Sequence, residues 1–118
     1  MSNTITFTSV VVNSADPVAL AAFYAAATGW KITSADPDFT TLDGGATPVS
    51  FQRVEGYQVP RWPGPGHRLH LDFAAADVPA TVKALVELGA AVAEEQPGGD
   101  DWVVLTDPEG HPFCVSAG

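Results

Sequence analysis

Cysteine is nearly absent. Cys114 stands alone among 118 residues, so no disulfide can form within the chain, and a reducing compartment suits it. Basic residues are scarce too: 5 Lys and Arg face 14 Asp and Glu, a formal net charge of -9. That balance disfavours nucleic acid and anionic membrane surfaces as partners, and the acidity serves solubility. No apolar run approaches the roughly 20 residues that a spanning helix needs. Residues 1–7 carry no basic stretch ahead of an apolar one, so no secretory signal is expected and the cytoplasm is the expected location. What remains is an ordinary globular composition, 46% hydrophobic.

The chain nearly repeats itself. Ser9 leads through Asp16-Pro17 into an apolar helix pattern that stops at Gly29. His70 leads through Asp77-Val78-Pro79 into a second that stops at Gly89. Ser9 and His70 are 61 positions apart, as are Asp16 and Asp77, and Phe51-Gln52 returns as Phe113-Cys114 after 62. Repeated supersecondary units decide the fold class, so this pattern weighs more than any single element.

Each unit reads strand, helix, strand, strand, strand. Residues 5–12 are rich in β-branched types and predict a strand. Asp16 is a good N-cap with Pro17 at the first helical position, and Leu20, Phe23, Tyr24 and Ala27 share one helix face. Strands are predicted over 30–33, 39–42 and 48–54, with turns at Asp36-Pro37-Asp38 and Asp43-Gly44-Gly45. In the second unit strands are predicted over 69–74, 91–94, 102–105 and 112–116. Val78, Val82, Leu85 and Val86 form the expected buried helix face. Asp107-Pro108-Glu109-Gly110 suits a type I turn. Between the units, residues 59–67 hold five Pro and Gly and form a stiff connector. A half of this size buries too little surface to be comfortably stable alone, so two halves are expected to share a core. The expected organisation is one domain over residues 1–118: a first module over about 5–58, the connector, and a second module over about 68–117.

Two βαβββ units in this order resemble the vicinal oxygen chelate superfamily, which includes glyoxalase I, extradiol dioxygenases and bleomycin-type resistance proteins. The resemblance is carried by Asp16-Pro17 through Gly29-Trp30, by His70-Leu71-Asp72, and most specifically by Asp107-Pro108-Glu109-Gly110-His111-Pro112-Phe113. Within the superfamily, Phe51-Gln52-Arg53, the Pro60-Arg61-Trp62-Pro63 connector and Phe113-Cys114 look like a glyoxalase-like subgroup common in actinobacteria. The resemblance implies an α+β fold, a curved and mostly antiparallel sheet cup with helices on its outer face, and a homodimer. It also implies metal-ligand positions at Ser9, Gln52, His70 and Cys114. His70 alone is of the expected type there. Ser9 and Gln52 offer neutral oxygens, which suit hard divalent ions poorly. No tightly bound metal is therefore expected; were one present, Gln52, His70 and Cys114, with Glu55 or Asp72 nearby, would hold it.

Side-chain parity extends the site. In a strand, residues i and i+2 share a face, so Asp72 lies beside His70 and Asn13 follows Ser9. A carboxylate near an imidazole fixes its tautomer. His70 is then either an inert, half-buried strand histidine or, with Asp72, a catalytic acid/base pair. Cys114 is either a small apolar filler or a nucleophile whose pKa the nearby imidazole lowers. Arg53, Arg61 and Arg68 either offset acidic surface or hold an anionic ligand group. Tyr57 and Trp62 could form an aromatic wall. His111 is expected to be structural, His67 exposed, and Trp30 and Trp102 core or dimer-interface residues. The function expected is binding of a small organic compound, sequestered or acted on in a cup lined by His70, Asp72 and Gln52, with Ser9, Asn13, Arg53, Tyr57, Trp62 and Cys114 as further binding residues. The alternatives are a metal-dependent lyase or dioxygenase, and a structural module with no open pocket.

Overall fold

Two units of like topology follow one another in the chain. A computed structural model describes residues 4–67 and 69–118 and divides into Met1–Tyr57 and Gln58–Gly118. The first unit runs β1 (Val10–Ser14), α1 (Pro17–Thr28), β2 (Lys31–Asp36), β3 (Phe39–Asp43) and β4 (Val49–Arg53). The second runs β5 (Leu71–Ala74), α2 (Val78–Leu88), β6 (Ala91–Val92), β7 (Trp102–Thr106) and β8 (Pro112–Ser116). The sheet orders are β1-β4-β3-β2 and β5-β8-β7-β6. In each, the first and last strands pair in parallel and the other two pairings are antiparallel. The fold is thus α+β with two mixed sheets, neither of them closed. Arg68 lies outside the described residues. Among the described residues, no helix is long and apolar enough to cross a membrane.

The helices start and stop where local chemistry dictates. Asp16 Oδ1 accepts the Ala19 N–H at 3.2 Å, and Asp77 Oδ1 accepts that of Ala80 at 3.0 Å. Gly29, at φ 79°, ends α1 in the left-handed conformation and donates its N–H to Ala25 O at 2.8 Å. The first core gathers Leu20, Phe23, Tyr24, Leu42, Val49 and Phe51 between α1 and its sheet; the second gathers Leu85, Leu105, Phe113 and Val115.

Four expectations need correction. The strand predicted over 5–12 begins at Val10, because its partner begins at Val49 in register with it; Ile5 and Phe7 stay exposed. Ala27 is exposed: the buried face of α1 is Pro17, Leu20, Ala21, Phe23 and Tyr24, and the last turn is no longer covered. The strand predicted over 91–94 ends at Val92. There the Gln96 side chain takes over the pairing, accepting the Val104 N–H at 2.9 Å and donating to the carbonyls of Val104 (2.9 Å) and Ala93 (2.8 Å). With β6 so short, the sheet edge beneath α2 is short too, and Val86 is exposed while Leu85 is buried.

Candidate functional site

The face of the second sheet away from α2 carries the polar residues. Register places Asp72 opposite Cys114, Cys114 opposite Val104, and Ser116 opposite Trp102, so these side chains share one face. They line a cavity of about 440 Å³. Its apolar walls are Trp62, Pro97, Trp102, Val104 and Pro112, and its polar groups are His70, Asp72, Cys114 and Ser116. The connector supplies Trp62, the loop after β6 supplies Pro97, His70 lies just before β5, and the strands supply the rest. Gln96 ties that loop to β7. Beside it, a Cβ on Gly98 would lie 2.4 Å from Cδ2 of Trp102, so the missing side chain makes room for the indole.

His70 sits just before β5 rather than within a strand, and it is exposed rather than half-buried, because β5 begins only at Leu71. Its Nε2 lies 3.1 Å from Asp72 Oδ1. With the Nε2 proton donated to the carboxylate, Nδ1 keeps its lone pair and can accept a proton. The nitrogen, oxygen and sulfur of His70, Asp72 and Cys114 all lie within 4.8 Å of one another.

The Cys114 thiol is pushed up rather than down. Burial raises its pKa, and the Asp72 carboxylate raises it further by its negative charge and by accepting the thiol's hydrogen bond. Of the two readings of Cys114, the imidazole-activated nucleophile loses its support: the nearest charge is the wrong sign for a thiolate. Alkylation of Cys114 by iodoacetamide should have its pH midpoint above the ordinary thiol range, and Asp72→Asn should move that midpoint down. A midpoint that does not move in Asp72→Asn would contradict this.

Ser9, Asn13, Gln52, Arg53 and Tyr57 belong to the first unit. Ser9 precedes β1 instead of lying in it, because the ladder starts at Val10. Asn13 on β1 and Gln52 on β4 are register partners, both exposed. Arg53 pairs with Asp38 at 3.7 Å and Glu55 at 3.4 Å. The Tyr57 N–H donates to Val54 O at 3.0 Å, closing the turn after β4. Trp30 packs over Gly44 and Gly45. His67 Nε2 lies 2.5 Å from Pro60 O, so it is tied to the connector rather than free in solvent. His111 is structural as expected, held by the buried Asp107.

Pro97, Trp102, Val104, Pro112 and Ser116 were not singled out as binding residues from the sequence, and Trp102 lines the cavity rather than the core. The period of two along β7 and β8 holds the signal: 102 and 104 share a face, as do 112, 114 and 116. Linking the two sets needs the register, which no local pattern contains.

A family model described as a glyoxalase-like domain matches residues 9–116. No curated protein matches the chain. Among solved structures it is similar to a glyoxalase/bleomycin resistance protein/dioxygenase family enzyme from Burkholderia phytofirmans PsJN, with TM-score 0.72 and 22% identity over 92% of this chain and 94% of that one. It is also similar to a glyoxalase-related enzyme from Fulvimarina pelagi, with TM-score 0.69 and 20% identity over 94% and 86%. A third is the bleomycin-binding protein of bleomycin-producing Streptomyces verticillus, solved with copper(II)-bleomycin, with TM-score 0.60 and 18% identity over 97% and 98%. At such identities the structures speak for the fold, while the family match spans nearly the whole chain. With its paired βαβββ units and its closing Asp107-Pro108-Glu109-Gly110 turn, the chain belongs to the glyoxalase-like domain family, within the vicinal oxygen chelate superfamily.

Proposed function

We propose that this protein binds a small organic compound in the cavity of its second unit, and sequesters it or acts on it without a tightly bound metal. The cavity carries the reading. Its volume, about 440 Å³, falls in the range of roughly 300–1,000 Å³ usual for small-molecule sites, and it pairs apolar walls with a few convergent polar groups. In the catalytic version, Asp72 holds the Nε2 proton of His70, and Nδ1 takes a proton from the bound compound. Cys114, kept protonated, serves as a hydrogen-bond donor and not as a nucleophile.

A thermal-shift screen against dicarbonyls, catechols and aromatic antibiotics tests the reading. A binder should stabilise the protein in a concentration-dependent way, by about 2.7 kcal/mol at a hundred times its Kd. Trp102→Ala should weaken that binder at least about tenfold, the loss of one good aromatic contact. Binding that is unchanged in both Trp102→Ala and His70→Ala would place it elsewhere and sink the proposal.

One observation favours a second reading. His70, Asp72 and Cys114 offer one nitrogen, one oxygen and one sulfur within 4.8 Å of each other. Three such donors with an open fourth position suit a borderline ion such as Zn²⁺, provided Cys114 gives up its proton. A bound ion would supply Lewis-acid polarisation of a substrate oxygen. This set replaces Gln52 with Asp72, since the three converging groups all lie in the second unit. Elemental analysis of protein purified without chelator separates the readings: near-stoichiometric metal that is lost in His70→Ala would overturn the metal-free one.

A further inference from the structure

Among the described residues, the cavity presents an anion and aromatic side chains but no counter-cation of lysine or arginine type. Its walls present the indoles of Trp62 and Trp102. Its polar end centres on the Asp72 carboxylate, which faces His70 Nε2 at 3.1 Å and accepts from the Cys114 thiol. Among the described residues, no Lys or Arg lines it. Arg53 is engaged by Asp38 and Glu55 in the first unit. Lys83 lies on α2, which packs on the other face of the sheet. The chain as a whole carries a net charge of -9.

Resting on the binding reading above, we infer that this site selects flat aromatic compounds bearing a cationic amine and discriminates against their anionic analogues. The indole faces are electron-rich, so they accept an aromatic ring by stacking and favour a positive charge beside it. Asp72 adds the direct attraction. Its carboxylate is 73% exposed, so the attraction belongs at the weak, water-screened end of the Coulomb range. An anion meets that same charge as repulsion, with no guanidinium or ammonium among the described lining residues to offset it. The difference between matched cation and anion adds both effects, about tenfold in affinity at low salt. An anionic substrate held by an arginine fork, one option raised by the arginines near the connector, is the opposite specificity.

Isothermal titration of the full chain at pH 8 with 1-naphthylmethylamine, 1-naphthylmethanol and 1-naphthaleneacetate tests this. The amine should bind tightest and the carboxylate weakest, by about tenfold at low ionic strength, with the gap narrowing in 0.5 M salt. Asp72→Asn should collapse the amine-to-carboxylate ratio towards one. Glu87→Gln, an exposed change on α2 that removes the same charge, should leave the ratio intact, and Trp62→Ala should weaken all three probes together. If the alcohol binds while amine and carboxylate bind equally, or if Asp72→Asn leaves the ratio unchanged, the inference is overturned and the cavity reading stands. If none of the three binds and no compound in the thermal-shift screen binds either, both fall.

Discussion

Replacing Asp107 with alanine should destabilise the protein by about 3–5 kcal/mol, the usual result of removing one partner of a buried charged network. Asp107 is 4% exposed. Its Oδ1 accepts the N–H groups of Glu109 (2.9 Å), Gly110 (3.0 Å) and His111 (3.0 Å), and Oδ2 lies 2.9 Å from His111 Nδ1. One carboxylate thus accepts three successive N–H groups of the Asp107-Pro108-Glu109-Gly110 turn and the residue after it, where the chain enters β8. Alanine would take this acceptor from the half-buried N–H groups of Glu109 and His111, while the Gly110 N–H keeps the Asp107 carbonyl at 2.9 Å, and a buried group left unsatisfied costs about 1–3 kcal/mol. Asparagine keeps the shape and one acceptor oxygen, so it should fall between wild type and alanine. Urea unfolding at pH 7 gives the comparison. A loss below about 1 kcal/mol in Asp107→Ala would mean that the turn holds without its cap. Against a total stability of about 5–15 kcal/mol, the expected loss is large.

Phe51→Ala and Phe113→Ala should each cost about 3–5 kcal/mol. The two residues occupy repeated positions on β4 and β8 and are almost fully buried. Phe51 stacks on Tyr24 with ring centroids 5.6 Å apart and planes at 14°, whereas Phe113 meets Phe73 edge-on at 5.9 Å and 87°. Both substitutions remove the transfer energy of a ring and leave a void beneath a helix. Leucine at either position keeps most of the volume and should cost under about 1.5 kcal/mol. Equilibrium unfolding of the four variants measures this. An alanine variant no worse than its leucine counterpart would show that the core closes around the missing ring.

Phe51 and Phe113 were legible because the repeat is written in residue types. The caps at Asp16 and Asp77 were legible for a similar reason: a capping carboxylate acts within three residues of itself, so no distant partner is needed. The contact between His70 and Asp72 also follows from local spacing. The start of β1 does not, since Val10 begins the strand only because Val49 begins its partner. Nor does the end of β6, where the Gln96 amide takes the backbone groups of Val104. The helix face was overread at Ala27 and Val86, because periodicity marks which residues can face a sheet and not how far the sheet extends.

The candidate site divides along the same line. Residue types and their spacing determined the paired βαβββ units, the helix ends and the placing of Asp72 beside His70, while the resemblance to a known superfamily pointed to the family and to His70 and Cys114 as site positions. Tertiary structure decided what those three residues do to one another. Register across the parallel β5–β8 pair sets Asp72 opposite Cys114, and burial together with that carboxylate raises the thiol pKa, which decides between the two readings that the sequence left open for Cys114. Register across β7 and β8 adds Trp102 and Val104 to the same face, turning a polar cluster into a walled cavity. The physical reason is that caps and periods are set by bonds and contacts a few residues long. A pKa or a pocket depends on which distant strand supplies the neighbour, and a shift of one residue in pairing would send that neighbour to the opposite face.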